Sequence, residues 1–133
     1  MNHLPKQRID DKTIPDSEGL WRHINTTIKG LIVKDPKTGQ YRPSSAVFRD
    51  KSGELSVDLA SLTTMEKSLA LKPDVIITEI QAKIPREIGY AIVRDPQPEN
   101  PAHALICGRI TKMHAREMAK RAKLLNHGSY ESQ

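Results

Sequence analysis

Val75-Ile76-Ile77-Thr78-Glu79-Ile80 is the segment richest in β-branched residues, and it decides how the rest of the chain is read. Such residues fit a pleated surface that is buried on both sides or on one, so the hexamer predicts a strand inside a sheet. The signals on either side are short. Leu55, Val57 and Leu59 alternate with Ser56 and Asp58, a period of two that predicts a half-buried strand. Tyr90–Val93 and Ala104–Cys107 are two more short apolar runs, joined by Asp95–Pro101, a loop stiffened by Pro96, Pro98 and Pro101. Leu31–Val33 and Gln40–Arg42 flank Asp35-Pro36-Lys37-Thr38-Gly39, whose proline and glycine predict a hairpin turn. Ala46–Arg49, between that hairpin and the Asp50–Gly53 turn, reads as a further strand.

Helical signals are fewer. Thr63 with Glu66 has capping-box spacing and predicts a short mid-chain helix to about Leu71, closed by Lys72-Pro73. Pro85 predicts a brief turn through Ile88. Thr111 is an N-cap candidate for a last helix to Leu125, with Gly128 as its stop. The order is β-β-β-β-α-β-(α)-β-β-α. It predicts an α+β fold: one compact domain, a largely antiparallel sheet, a short mid-chain helix and a basic C-terminal helix. Residues 1–18 are polar, carry Pro5 and Pro15 and lack periodicity, so they predict a flexible N-terminal arm. The domain is expected over 19–127, starting near Leu20–Trp21, and 128–133 as a disordered tail.

The net charge of +5 is unevenly placed. Between Pro101 and Tyr130, Arg109, Lys112, Arg116, Lys120, Arg121 and Lys123 face one acid, Glu117, whereas residues 1–100 are almost neutral. At about 100° per residue, Lys112, Arg116, Lys120, Lys123 and His127 form one stripe. Ala115, Met118, Ala119, Ala122 and Leu125 form the stripe beside it, narrow enough to dock on a sheet. Aligned cations repel within the helix, and a polyanion would relieve that repulsion. The four basic residues Lys112, Arg116, Lys120 and Lys123 are therefore the candidate binding residues. The expected partner is a nucleic-acid backbone or an acidic protein. No aromatic residue interrupts the helix, which points to phosphate contact rather than base stacking. As a structural alternative, the same helix is simply a solvated surface element.

Apolar runs are too short to span a bilayer, no apolar leader opens the sequence, and Cys107 is the one cysteine, so a cytoplasmic location is expected. Metal chemistry has little to draw on. His103, Cys107 and His114 lack paired-ligand spacing, and no metal or cofactor is expected. A nucleophilic Cys107 is disfavoured by its apolar strand. His23 and His114 are a conceivable acid–base pair for a nuclease-like activity.

Arg22, Ser44/Ser45 and Glu79, in that order, resemble the Arg…Ser…Glu scheme of ADP-ribosyltransferases. That resemblance implies Arg and Ser holding a dinucleotide and Glu polarising its ribose. Three longer elements are Arg42-Pro43-Ser44-Ser45-Ala46-Val47-Phe48, Ser56-Val57-Asp58-Leu59-Ala60-Ser61 and Arg94-Asp95-Pro96-Gln97-Pro98-Glu99-Asn100-Pro101-Ala102-His103-Ala104-Leu105. With these, residues 20–125 resemble an uncharacterised family of small bacterial proteins, which implies no fold or activity. The elements nominate Arg42, Ser44, Ser45 and His103 as catalytic candidates, with Arg94 and Asp95 as further polar positions. The leading expectation is thus an accessory binding protein. The alternatives are a small enzyme on a nucleotide or nucleic acid, with an Arg/Ser/His pocket, and a structural subunit of a larger assembly. Whether the chain forms an oligomer is not legible in the sequence.

Overall fold

Alternating residues of one central strand, Gly19–Asn25 (β1), divide the molecule into two sides. Leu20 and Ile24 point into the main core, and Trp21 and His23 point the other way. The computed structural model describes residues 8–71 and 74–126. In it β1 lies in a six-stranded sheet of order β6-β7-β4-β1-β5-β8, all neighbours antiparallel. The other strands are Glu54–Leu59 (β4), Val75–Gln81 (β5), Ala91–Arg94 (β6), His103–Cys107 (β7) and Lys123–Leu124 (β8). β5 is interior, as its composition predicts, and pairs with β1 along seven residues. The fold is a single α+β domain, as expected.

The core-facing row holds Leu20, Ile24, Leu55, Val57, Leu59, Ile76, Ile80, Ile92, Ala104 and Ile106. Helix α2 (Lys83–Glu87) contributes Ile84 to the same cluster, and α3 (Lys112–Lys120) contributes Ala115, Met118 and Ala119. Burial of aliphatic side chains at about 25 cal/mol per Å2 makes this cluster the main source of stability. The opposite face carries a smaller cluster of Val93, Leu105 and Cys107.

The predicted hairpin forms from Ile32–Lys34 (β2) and Tyr41–Pro43 (β3), as a separate two-stranded ribbon. Asp35 builds its turn: Oδ1 accepts from the Lys37 amide at 2.8 Å, and Gly39 takes a φ of +73° that suits glycine. β3 packs against α3 and β8.

Several expectations are corrected. β1 is absent from the strand order expected, because Arg22 breaks the apolar pattern on the core face. Ser45–Phe48 is a 3-10 turn, not a strand. That conformation swings Val47 and Phe48 into the core beside α3, where Phe48 is fully buried. In helix α1 (Met65–Leu71) the cap is Thr64, whose Oγ1 accepts from the Lys67 amide at 3.1 Å, one residue later than the Thr63–Glu66 spacing suggested. The Lys72-Pro73 closure lies outside the described residues. α2 begins before Pro85, which sits inside its first turn. α3 ends at Lys120, about one turn early. The chain then extends so that Lys123–Leu124 pairs with β5, and the Leu125 amide donates to Ile77 O at 2.8 Å. Edge pairing and the burial of Leu124 outweigh one more helical turn.

The flexible arm expected over 1–18 is corrected for residues 8–18, which pack on the body. Ile14 joins the core at 1% exposure. The Ile92 amide donates to Asp10 Oδ1 at 2.9 Å, and the Asp11 amide donates to Ile92 O at 2.8 Å. Residues 10–11 thereby satisfy the outer edge of β6, an exposed ladder that would otherwise invite another strand. Arg86 secures them, donating to Asp10 Oδ1 (3.0 Å), Asp16 Oδ1 (2.8 Å) and Asp11 O (2.9 Å). Residues 1–7, His127 and the tail expected over 128–133 lie outside the described residues. Among the described residues no helix is long and apolar enough to cross a membrane.

Candidate functional site

Thr111 caps α3 as predicted, its Oγ1 accepting from the His114 amide at 3.1 Å. The entrance is braced further by Tyr90. Its hydroxyl accepts from the Thr111 amide (3.3 Å), approaches His114 Nδ1 (2.7 Å) and donates to Arg109 O (3.1 Å). With the hydroxyl proton on Arg109 O, the His114 bond is satisfied by an Nδ1–H tautomer. Ala115, Met118 and Ala119 then face the core, which turns Lys112, Arg116 and Lys120 to solvent in one line. Among the described residues none of these three makes an ion pair, and the exposed side chain of Met113 lies beside them. Three unneutralised cations on one rigid helix face are a surface for fixed negative charges.

The fourth predicted cation, Lys123, is not on the helix. It is a β8 residue, and its Nζ lies 3.5 Å from Glu79 Oε1. Glu79 Oε2 also accepts from Trp21 Nε1 at 2.8 Å. Lys123 still lies near Lys120, because both line the groove between the hairpin and the C-terminal end of α3. That groove, of about 350 Å3, is lined by Asp35, Thr38, Gln40, Tyr41, Arg42, Lys120, Ala122, Lys123 and Leu124. Arg42 Nε is 3.4 Å from Asp35 Oδ2, and its Nη1 donates to Pro43 O at 3.1 Å. The Lys37 and Thr38 amides hold the Asp35 carboxyl below the usual range, helped by Arg42. So the structure brings one residue of the expected pocket, Arg42, to two of the expected binding residues, Lys120 and Lys123.

It does not bring together the rest of that pocket. The Ser44 amide donates to Leu31 O at 2.8 Å, its buried Oγ has no hydrogen-bond partner among the described residues, and Ser45 begins the 3-10 turn against α3 on the core side. His103 is on the opposite side of the sheet. It shares that face of β7 with Leu105 and Cys107, and the core face holds Ala104 and Ile106. Its Nδ1 lies 2.9 Å from Asp95 Oδ2. The pocket of Arg42, Ser44, Ser45 and His103 is therefore corrected: the sheet separates its serines from its histidine, and the groove with Arg42 contains neither.

The same parity separates the other constellations. Arg22 is on the core side, where Nε donates to Val47 O and Nη1 to Ser56 O, both at 3.0 Å. Burial pushes its guanidinium pKa down, although not enough to remove the charge. Glu79 is on the other side with Trp21, so Arg22, Ser44 and Glu79 do not line one cleft. His23 of β1 faces away from the core and His114 stands on α3, so the two histidines do not meet. Cys107 is buried, and burial pushes its thiol up. Among the described residues no three His, Cys, Asp or Glu side chains are placed to hold a metal ion.

Register reveals a row that sequence reasoning missed. Lys123 opposes Glu79, Glu79 opposes Trp21, Trp21 opposes Asp58, and Asp58 opposes His103. Five strands thus place a polar line on the face away from the core. Asp58 Oδ1 accepts from Asn100 Nδ2 at 2.8 Å, which ties the loop before β7 to β4. Only the strand pairing makes these residues neighbours, so no local motif could have marked them.

No protein-family model, curated protein or solved structure matches the chain, so geometry carries the functional reading.

Proposed function

We propose that the protein is a small binding protein that contacts the phosphate backbone of a nucleic acid through α3 and the groove at its C-terminal end. One observation carries this reading: Lys112, Arg116 and Lys120 stand exposed, aligned and, among the described residues, without an ion pair, and their line runs into a groove that adds Arg42 and Lys123. Each cation that neutralises a phosphate releases a counterion, so affinity falls with salt by a slope proportional to the number of contacts. The roles differ along the line. Lys112, Arg116 and Lys120 supply free charge. Arg42 and Lys123 start from ion pairs with Asp35 and Glu79 and contribute less.

The test is binding of RNA and DNA oligonucleotides by fluorescence anisotropy from about 50 to 200 mM salt, the range over which several phosphate contacts change affinity by orders of magnitude. Binding that weakens steeply with salt and is lost in a Lys112→Ala/Arg116→Ala/Lys120→Ala variant supports the reading. Absence of binding at the lowest salt, or a slope near zero, overturns it.

A further inference from the structure

We infer that the groove between the hairpin and α3 seats one nucleotide of a single-stranded nucleic acid, its base against Tyr41 and its phosphate at Lys120. The inference rests on the phosphate-binding reading and specifies which form of nucleic acid it takes. The sequence of α3 offers charge without an aromatic platform. The fold supplies that platform from elsewhere. Tyr41, on β3, lines the same groove as Lys120 and Lys123, although some eighty positions separate them in the chain.

Four features of the groove suit a nucleotide. Its volume of about 350 Å3 falls at the small end of ligand sites, matching one nucleotide rather than a helix of paired bases. Its wall is mixed, with the Tyr41 ring and Leu124 as apolar surface and Thr38 and Gln40 as polar groups able to meet base edges. Among the described residues its lining is positive, three cations against the carboxylate of Asp35, and Asp35 is already engaged by the Lys37 amide and Arg42. Finally, Lys34 Nζ lies 5.9 Å from the centroid of the Tyr41 ring and adds a cation beside the groove, within reach of a phosphate. A Tyr41 ring packed against the core loses little freedom when a base stacks on it.

A duplex keeps its bases stacked inside and offers only phosphates, so it would engage Lys112 and Arg116 but leave the groove empty. A single strand turns a base outward and uses both. Single strands are therefore preferred, and the preference resides in the ring at position 41.

The experiment compares a fluorescein-labelled single-stranded oligonucleotide of about ten nucleotides with a duplex of the same length, at one salt concentration. The proteins are the wild type, Tyr41→Phe and Tyr41→Leu. Phe keeps the ring, and Leu keeps apolar packing but has no π face. Tighter single-strand binding, unchanged in Tyr41→Phe and about five-fold or more weaker in Tyr41→Leu with duplex affinity unaltered, is the expected result. Photocrosslinking to a 5-bromouracil-substituted strand gives a readout that needs no variant, with the adduct expected on the peptide containing Tyr41. Equal affinity for single strand and duplex, or adducts confined to α3, overturns the groove inference and leaves backbone binding standing. Absence of binding by the wild type to either oligonucleotide overturns both.

Discussion

Lys123 and Glu79 face one another across the β5–β8 pairing, with Nζ 3.5 Å from Oε1. This contact changes the meaning of the basic C-terminal stripe. Lys123 belongs by spacing with Lys112, Arg116 and Lys120, yet the sheet takes it and half-neutralises it. A prediction of direction follows. Glu79→Gln keeps an oxygen for Trp21 Nε1 and removes the charge that competes for Lys123. It is expected to strengthen oligonucleotide binding and steepen the salt slope by roughly 0.7 to 0.9, the share of one phosphate contact. Anisotropy titrations at three salt concentrations measure it. Unchanged affinity and slope would show that Lys123 does not reach the ligand.

Within the stripe the effects are ordered. Lys120→Ala removes a cation that serves both helix and groove and has no ion pair among the described residues, and Lys123→Ala removes one already paired with Glu79. The loss of affinity is expected to be larger for Lys120→Ala. The same titrations decide it, and the reverse order would argue against α3 as the primary contact.

Arg22 does for the sheet what a ladder would otherwise do. Registered pairs between β1 and β4 stop at Leu20↔Leu59 and Trp21↔Asp58, and beyond them Arg22 donates to Ser56 O and to Val47 O in the 3-10 turn. Arg22→Met fills similar space but strands two carbonyls. A loss of about 2–4 kcal/mol in unfolding free energy is expected, less than the sum of two charged-donor hydrogen bonds at about 1.5–3 kcal/mol each, because the bond to Ser56 O is exposed and methionine packing recovers part of the rest. Urea unfolding followed by circular dichroism gives the value. A loss below about 0.5 kcal/mol would mean that water replaces the guanidinium without cost.

Acid should loosen the N-terminal clasp before the rest of the fold. Burial opposes ionisation of Asp10, but the Ile92 amide and Arg86 outweigh it and hold the carboxyl below its usual range. The same holds for Asp11 through the Thr13 hydroxyl and amide. A carboxylate whose folded pKa is depressed stabilises the native state above its unfolded value, near 4. That stabilisation is lost as pH falls through the folded pKa. Urea midpoints are expected to be flat from about pH 7 to 5 and to drop below about 4. Asp10→Ala is expected to flatten part of that drop and to speed amide exchange at Ile92. Wild-type exchange at Ile92 in that variant would remove the clasp from the account of the β6 edge.

Cys107 should be inert in the native protein. Its thiol is buried in β7, and desolvation pushes its pKa up, so the thiolate is scarce near neutral pH. Reaction with a thiol reagent such as a disulfide dye is expected to be slow in buffer and fast in urea. Rapid native labelling would show that the smaller cluster of Val93, Leu105 and Cys107 opens readily.

Much of the fold was legible because its signals are local. Alternation marked β4, the β-branched run marked β5, and Asp35 with Gly39 marked the hairpin turn. Each of those depends on a residue and its neighbours within five positions. β1 was not legible as a strand, since Arg22 occupies a core-facing position that only makes sense once Val47 O and Ser56 O are near it. The end of α3 was missed for the same kind of reason. Ala122 and Lys123 continue the helical pattern perfectly well, and only the open edge of β5 offers them something better.

The site divides along the same line. The amino-acid sequence alone determined the +5 charge, its concentration near the C-terminus, the Thr111 cap and the alanine face that turns Lys112, Arg116 and Lys120 outward. These follow from composition and from a period of 3.6, which no long-range contact alters. Tertiary structure decided the rest. It withdrew Lys123 into a strand, put Ser44 and His103 on opposite sides of a sheet, and carried Tyr41 and Arg42 to the end of the helix. Side-chain parity across six paired strands sets those relations, and parity depends on register between segments far apart in the chain.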